Sequence, residues 1–134
     1  MATARWGVVW LLLLLAEACG APRITDEMPI TESQVKAYEA SYYWAKAKGV
    51  RLDAVVFAPG GISQSGGRAL AWALCDQHAI GWNESYIESN DVNFDCTAAH
   101  EVCHIYYKDN LQCKPPYDEA RAQQCAVALV GNGC

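Results

Sequence analysis

The chain has 134 residues, a net charge of -5 from ten Lys+Arg against fifteen Asp+Glu, and 52% hydrophobic residues. That length bounds it to one domain, and the apolar content excludes a disordered chain. An acidic balance without any basic run excludes a surface for nucleic acid or anionic lipid.

Taken in order, the first twenty residues have a composition of their own. Arg5 precedes an apolar run from Trp6 to Ala16, and small residues follow. That run falls short of the roughly 20 residues that span a bilayer, and it fits the h-region of a signal peptide. Residues 1–20 are therefore expected to be removed, with Ala18 and Gly20 at the recognition positions. Cleavage after Ala18 would instead leave Cys19 first, as in a lipid-anchored protein, and an anchor there is the one membrane contact expected. The chain is read as exported (secreted, periplasmic or lipid-anchored), with a single domain over 21–134. Cys75, Cys96, Cys103, Cys113, Cys125 and Cys134 remain in that domain. An even count in an oxidising compartment predicts three disulfides, which reinforce a small core.

Ala21 to Pro29 is a polar lead-in. Thr31 and Gln34 have capping-box spacing; Val35, Tyr38, Tyr42 and Ala45 share a face at helical period, and Gly49 ends the helix. Val50 to Ala58 alternates as a strand, with Val50, Leu52, Ala54 and Val56 on one side, and Pro59-Gly60-Gly61 stops it. Arg68 to Cys75 and His78 to Ile87 read as two further strands, a hairpin around Asp76-Gln77. Asp95 can cap a helix over about Cys96 to Tyr107. Pro115-Pro116 precedes a last helix, Tyr117 to Val130, ended by Gly131. The order is α-β-β-β-α-α, an α+β domain. Trp72 and Trp82, at strand spacing, are expected in the core, and His78 in a turn.

The chemistry concentrates in His100-Glu101-Val102-Cys103-His104, a complete H-E-x-x-H. Positions i and i+4 lie about 40° apart around a helix, so both imidazoles project from one face and reach one zinc ion. Glu101 is turned about 100° from His100, beside the metal and not on it, where it can take a proton from water. A catalytic zinc needs a third protein ligand. His78 lies upstream in the hairpin, and Asp109 is one residue short of the metzincin third-ligand position, where Asn110 stands. A carboxylate of the following helix is left. Glu119 is the stronger candidate, because Ala122 and Ala126 share its face and allow that helix close to the His100/His104 helix; Asp118 is the second.

A strand, then Thr97-Ala98-Ala99-His100-Glu101-Val102-Cys103-His104, then a helix carrying Glu119, Ala122 and Ala126 resembles the gluzincin metallopeptidases. The ImmA/IrrE-type and minigluzincin-like members are nearest, over roughly residues 79–130. The resemblance implies a minimal zincin-like domain: an N-terminal helix, a small three-stranded sheet, an active-site helix and a second metal-ligand helix. His100, His104 and Glu119 would be the metal ligands and Glu101 the general base, and the strand His78 to Ile87 would be the edge along which an extended substrate lies. Gln123 stands where those families usually carry Asp or Asn to orient a ligand histidine. Fourteen residues separate His104 from Glu119, a short connection for them.

Cys103 is expected in a disulfide, with Cys125 the preferred partner, since that bridge would staple the two metal-bearing helices. Tyr106, Tyr107, Tyr117, Arg68 and Arg121 are the candidates for stabilising an oxyanion. Asn83-Glu84-Ser85 is a glycosylation sequon. The expected function is a small exported zinc peptidase acting on peptide or protein substrates. The alternative is a disulfide-rich exported binding or structural domain with no catalytic metal.

Overall fold

A computed structural model describes residues 24–59, 63–64, 67–111 and 118–134. The expected signal peptide with Cys19, Gly60-Gly61, Cys113, Pro115-Pro116 and Tyr117 lie outside the described residues. The elements run α1 (Glu32–Lys48), β1 (Ala54–Ala58), β2 (Ser63–Gln64), β3 (Gly67–Arg68), β4 (Ala71–Leu74), a 3-10 turn (Cys75–Gln77), β5 (Ala79–Asn83), α2 (Glu84–Ser89), α3 (Phe94–Leu111) and α4 (Glu119–Val130). The α+β class and a small three-stranded sheet are as expected from the sequence. No helix among the described residues is long and apolar enough to cross a membrane.

Helix α1 begins and ends where local chemistry dictates. Thr31 Oγ1 accepts from the Gln34 N–H at 3.1 Å, and Gln34 Oε1 accepts from the Thr31 N–H, a complete capping box. Gly49 closes the helix at φ 72°, the left-handed region where a Cβ is costly. The buried stripe runs through Gln34 and the small residues Ala37, Ala40, Ser41 and Ala45; of the expected face Ala45 is buried, while Val35, Tyr38 and Tyr42 are half-buried. Small side chains let α1 approach its neighbours closely. The two tyrosines flank that stripe, and their hydroxyls donate to Asp26, whose Oδ1 also accepts the Val55 N–H at 2.8 Å. The segment before α1 is thus pinned against the edge of β1, and Glu27 N–H donates to Val55 O.

The sheet has the order β1-β5-β4, with β1 parallel and β4 antiparallel to β5; β2 and β3 form a separate ribbon. The strand expected over Val50 to Ala58 pairs only from Ala54. Within the strand Val55 and Phe57 join the core, Ala54 is buried too and Val56 is half-buried across from Gly81; Val50 and Leu52, ahead of the strand, pack on the same core. The hairpin around Asp76-Gln77 is present, turned by His78 at φ 48°. The strand expected over His78 to Ile87 stops at Asn83, where the side chain accepts from the Tyr86 N–H and starts α2. Asn83 is buried, which also argues against its glycosylation in the folded chain.

The core joins Ala37, Ala40 and Ala45 of α1 to Val55 and Phe57, Ile80 and Trp82, and Ala98, Val102 and Ile105 of α3. The Trp82 indole N–H, fully buried, donates to Ser41 Oγ at 3.0 Å, so this large ring is buried without an unsatisfied donor. Trp72 is also buried, and its ring lies flat over Gly81: a Cβ built there would stand 2.1 Å from Trp72 Cε2. Gly81→Ala is therefore expected to displace the indole and destabilise the fold by about 1–3 kcal/mol, the usual scale of overpacking. Urea unfolding checks this, and a loss below about 0.5 kcal/mol would show that the ring moves aside freely.

Disulfides hold the C-terminal half. Cys103 pairs with Cys125, the preferred pair from the sequence, with Cα atoms 6.1 Å apart, and Cys96 pairs with Cys134. Cys75 is disulfide-bonded too. The first bridge joins α3 to α4 in a small cluster with Ala122, packed by Tyr107 and Leu129. Such bonds persist where the surroundings are oxidising.

Candidate metal centre

Helix α3 carries the H-E-x-x-H segment in its middle turns. Its cap is Asn93, whose Oδ1 accepts the Cys96 N–H at 3.0 Å, and not the expected Asp95; the Asp95 carboxylate instead accepts the Trp44 indole N–H at 2.8 Å. Helix α4 starts at Asp118, which caps it by accepting the Arg121 N–H at 2.9 Å. That use separates the two candidate third ligands: Asp118 is spent on the helix end, and Glu119, one residue on, turns toward α3. Ala122 and Ala126 are fully buried where the helices meet.

His100, His104 and Glu119 converge, with one potential ligand atom from each lying within 4.8 Å of the others. Glu119 Oε2 is 2.9 Å from His100 Nε2, Glu119 Oε1 is 3.0 Å from His104 Nε2, and the two Nε2 atoms are 3.2 Å apart. Acceptor atoms this close need a hydrogen-bonding proton between them in the metal-free protein, carried on an imidazole nitrogen, or a metal ion. On its other side His100 Nδ1 meets Gln123 Oε1 at 2.9 Å. Gln123 thus stands where it can orient the His100 ring. In the metal-free protein Nε2 shares a proton with Glu119; on metal binding that proton would leave, and Nδ1–H donated to Gln123 would keep the lone pair on Nε2. Two imidazoles and one carboxylate fit a divalent transition metal such as zinc.

The local electrostatics follow from burial. Burial would raise the Glu119 carboxyl, but the hydrogen bond from His100 and the fields of both imidazoles outweigh it and hold the group below its ordinary value. Burial pushes His104 down, against the pull of Glu119. Lys108, also buried, adds to that depression. It lies one turn beyond His104 on the same stripe, a position that the i, i+4, i+8 spacing could have flagged.

Glu101 is nearly enclosed at 9% exposure. Its carboxyl is pushed up to about 8, chiefly by burial and then by the Glu119 charge, against a main-chain hydrogen bond from Ala73 of β4. In metal-free protein the folded state therefore keeps this proton across a range in which the unfolded chain, near 4.5, has lost it. The folded state binds more protons there, so stability falls as pH rises from about 4.5 toward 8. Glu101→Gln cannot ionise. In the presence of a chelator it should match the wild type near pH 4.5 and exceed it by a few kcal/mol near pH 8. His104 titrates in both proteins and cancels in the difference. Urea unfolding across that range decides, and a pH-independent difference would place the Glu101 carboxyl in ordinary surroundings.

The chain matches no protein-family profile, no curated protein and no solved structure.

One expectation changes. Strand β5, expected as the substrate-side edge, is the central strand with every residue buried; β4 is the edge next to α3. Of the five oxyanion candidates, Tyr106, Tyr107 and Arg121 are engaged in contacts of their own. The Tyr106 ring packs against the core beneath Lys48 Nζ at 4.3 Å, and the Arg121 guanidinium stacks on Tyr107 at 4.1 Å. Tyr117 and the side chain of Arg68 lie outside the described residues.

Proposed function

We propose that this protein is a small exported zinc peptidase, with His100, His104 and Glu119 as metal ligands and Glu101 as general base. The observation that carries the reading is the convergence of those three ligand atoms within 4.8 Å, with the enclosed Glu101 carboxyl on the adjoining position of α3. When bound, zinc would supply Lewis-acid polarisation of a scissile carbonyl and a water of lowered pKa. Glu101 then takes a proton from the attacking water and delivers it to the leaving amine. A neighbouring dication favours the ionised carboxylate and so reverses the metal-free preference of Glu101 for its proton.

Strand β4 supports the substrate side of the reading. The Asn83 N–H donates to Leu70 O at 2.9 Å, which sets the pairing so that Trp72 and Leu74 bond to β5 while Ala71 and Ala73 turn their main-chain groups outward. The Ala73 N–H is the group that reaches Glu101. An extended peptide can add to such an edge through main-chain hydrogen bonds, which would bring its backbone past the base. Export is supported by the disulfides and by the apolar run from Trp6 to Ala16.

Elemental analysis of the purified mature protein, followed by cleavage assays on unstructured peptides with and without chelator, tests the reading. About one zinc per chain and chelator-sensitive hydrolysis are expected. Protein that retains no zinc from metal-replete buffer overturns it.

A further inference from the structure

The two ends of the Gln123 side-chain amide are chemical opposites, and the surroundings fix which end meets His100. Its Nε2 lies 3.2 Å from the main-chain oxygen of Cys134, an atom that can only accept, so the NH2 group must face it. Oε1 then faces His100 Nδ1, 2.9 Å away, and accepts its proton. Rotated by half a turn, the amide would present a donor to Nδ1 and favour the tautomer whose proton blocks Nε2. Gln123 therefore orients His100 only as long as something orients Gln123.

That something is tied to the start of α3. Cys134 is bonded to Cys96 in the first turn, one helical turn before His100. Asn93 Nδ2 donates to Gly133 O at 2.8 Å while Asn93 Oδ1 caps the same helix. Residues 133–134 are thus fastened at two points to α3 and meet Gln123 of α4 from there. We infer that the Cys96–Cys134 bridge is a positioning strap for the metal centre: it holds the Cys134 oxygen where that atom orients the Gln123 amide, and so keeps His100 Nε2 free to bind metal. The inference rests on the metal-centre reading above. It gives this bridge a role distinct from that of Cys103–Cys125, which joins the two ligand-bearing helices directly.

The chemistry supplies its own control. A carboxylate at position 123 accepts through either oxygen and needs no orienting partner, so Gln123→Glu should make the strap dispensable. Zinc affinity is measured by competition with a chromophoric chelator on the mature protein carrying Cys96→Ser with Cys134→Ser, on Gln123→Glu, and on the three substitutions combined. In the wild-type background the serine pair should weaken zinc binding by about 10–100-fold, the usual cost of losing a ligand's orienting partner. In the Gln123→Glu background the same pair should cost less than about 3-fold. The His100 Nδ1–H resonance of the zinc-loaded protein should be seen by NMR in the wild type and in Gln123→Glu, and be lost from the serine pair.

Equal losses in both backgrounds would make the bridge merely structural and overturn the strap. A loss below about 3-fold in the wild-type background would overturn it as well. Wild-type protein that binds no zinc would instead overturn the metal centre itself. Should the serine pair fail to fold, Asn93→Asp keeps the helix cap and every disulfide but removes the donor to Gly133. It should weaken zinc several-fold in the wild-type background and leave Gln123→Glu unchanged; no effect in the wild-type background counts against the strap.

Discussion

Glu101→Gln is expected to reduce peptide hydrolysis by about 10²–10⁴-fold, the contribution of a positioned general base, while zinc content and fold stay nearly unchanged. Glu101 follows His100 directly but is turned about 100° around α3 from it, so it does not join the ligand group. Its carboxyl is enclosed by protein and fixed to the Ala73 N–H of the edge strand. Gln preserves that shape and can still accept this hydrogen bond, but its amide does not take up a proton. Zinc content by elemental analysis separates the loss of the base from the loss of the metal. If Gln at this position keeps more than about a tenth of wild-type turnover, Glu101 is not the base and the peptidase reading loses its chemical argument. The same substitution is expected to stabilise the metal-free protein at alkaline pH, so a fall in activity could not be put down to a damaged fold.

Much of this arrangement was legible in the sequence where local chemistry decides it. Thr31, Gln34 and Gly49 bound α1 through hydrogen bonds and a φ requirement that need no tertiary information. The i, i+4 histidines share a face by helix geometry alone. Glu119 was marked by the alanines at 122 and 126, whose small size is what lets α4 close on α3. Position within the sheet was not legible, because it is fixed by partners. Ala79-Ile80-Gly81-Trp82-Asn83 reads as the start of a longer strand until Asn83 turns and caps α2, and nothing local says that β4, not β5, is the edge. Asn93 and Asp95 are equally able to cap α3; Trp44, far away in sequence, claims Asp95. The Cys134 oxygen carries no side-chain signal at all, so the support of Gln123 is visible only in three dimensions.

Removing the third ligand should have the other large effect. Glu119→Ala is expected to weaken zinc retention by more than the 10–100-fold that outer-shell changes cost, because it takes away a ligand itself. Glu119 is the only carboxylate in the group, and its two oxygens lie within 3.0 Å of both imidazoles. Without it, two neutral nitrogens face the ion with no anion to offset its charge, and the buried Lys108 ammonium near His104 opposes binding further. Glu119→Gln keeps the shape and still offers an oxygen, so it should fall between the wild type and the alanine variant and separate charge from geometry. Asp118→Ala is the matched control. It removes the α4 cap at about 0.5–2 kcal/mol of stability but leaves the ligand group intact. Zinc affinity should then change little, measured well below the unfolding temperature. If Asp118→Ala released the metal and Glu119→Ala retained it, the ligand would be Asp118, and α4 would have to be turned by about 100° from its present orientation.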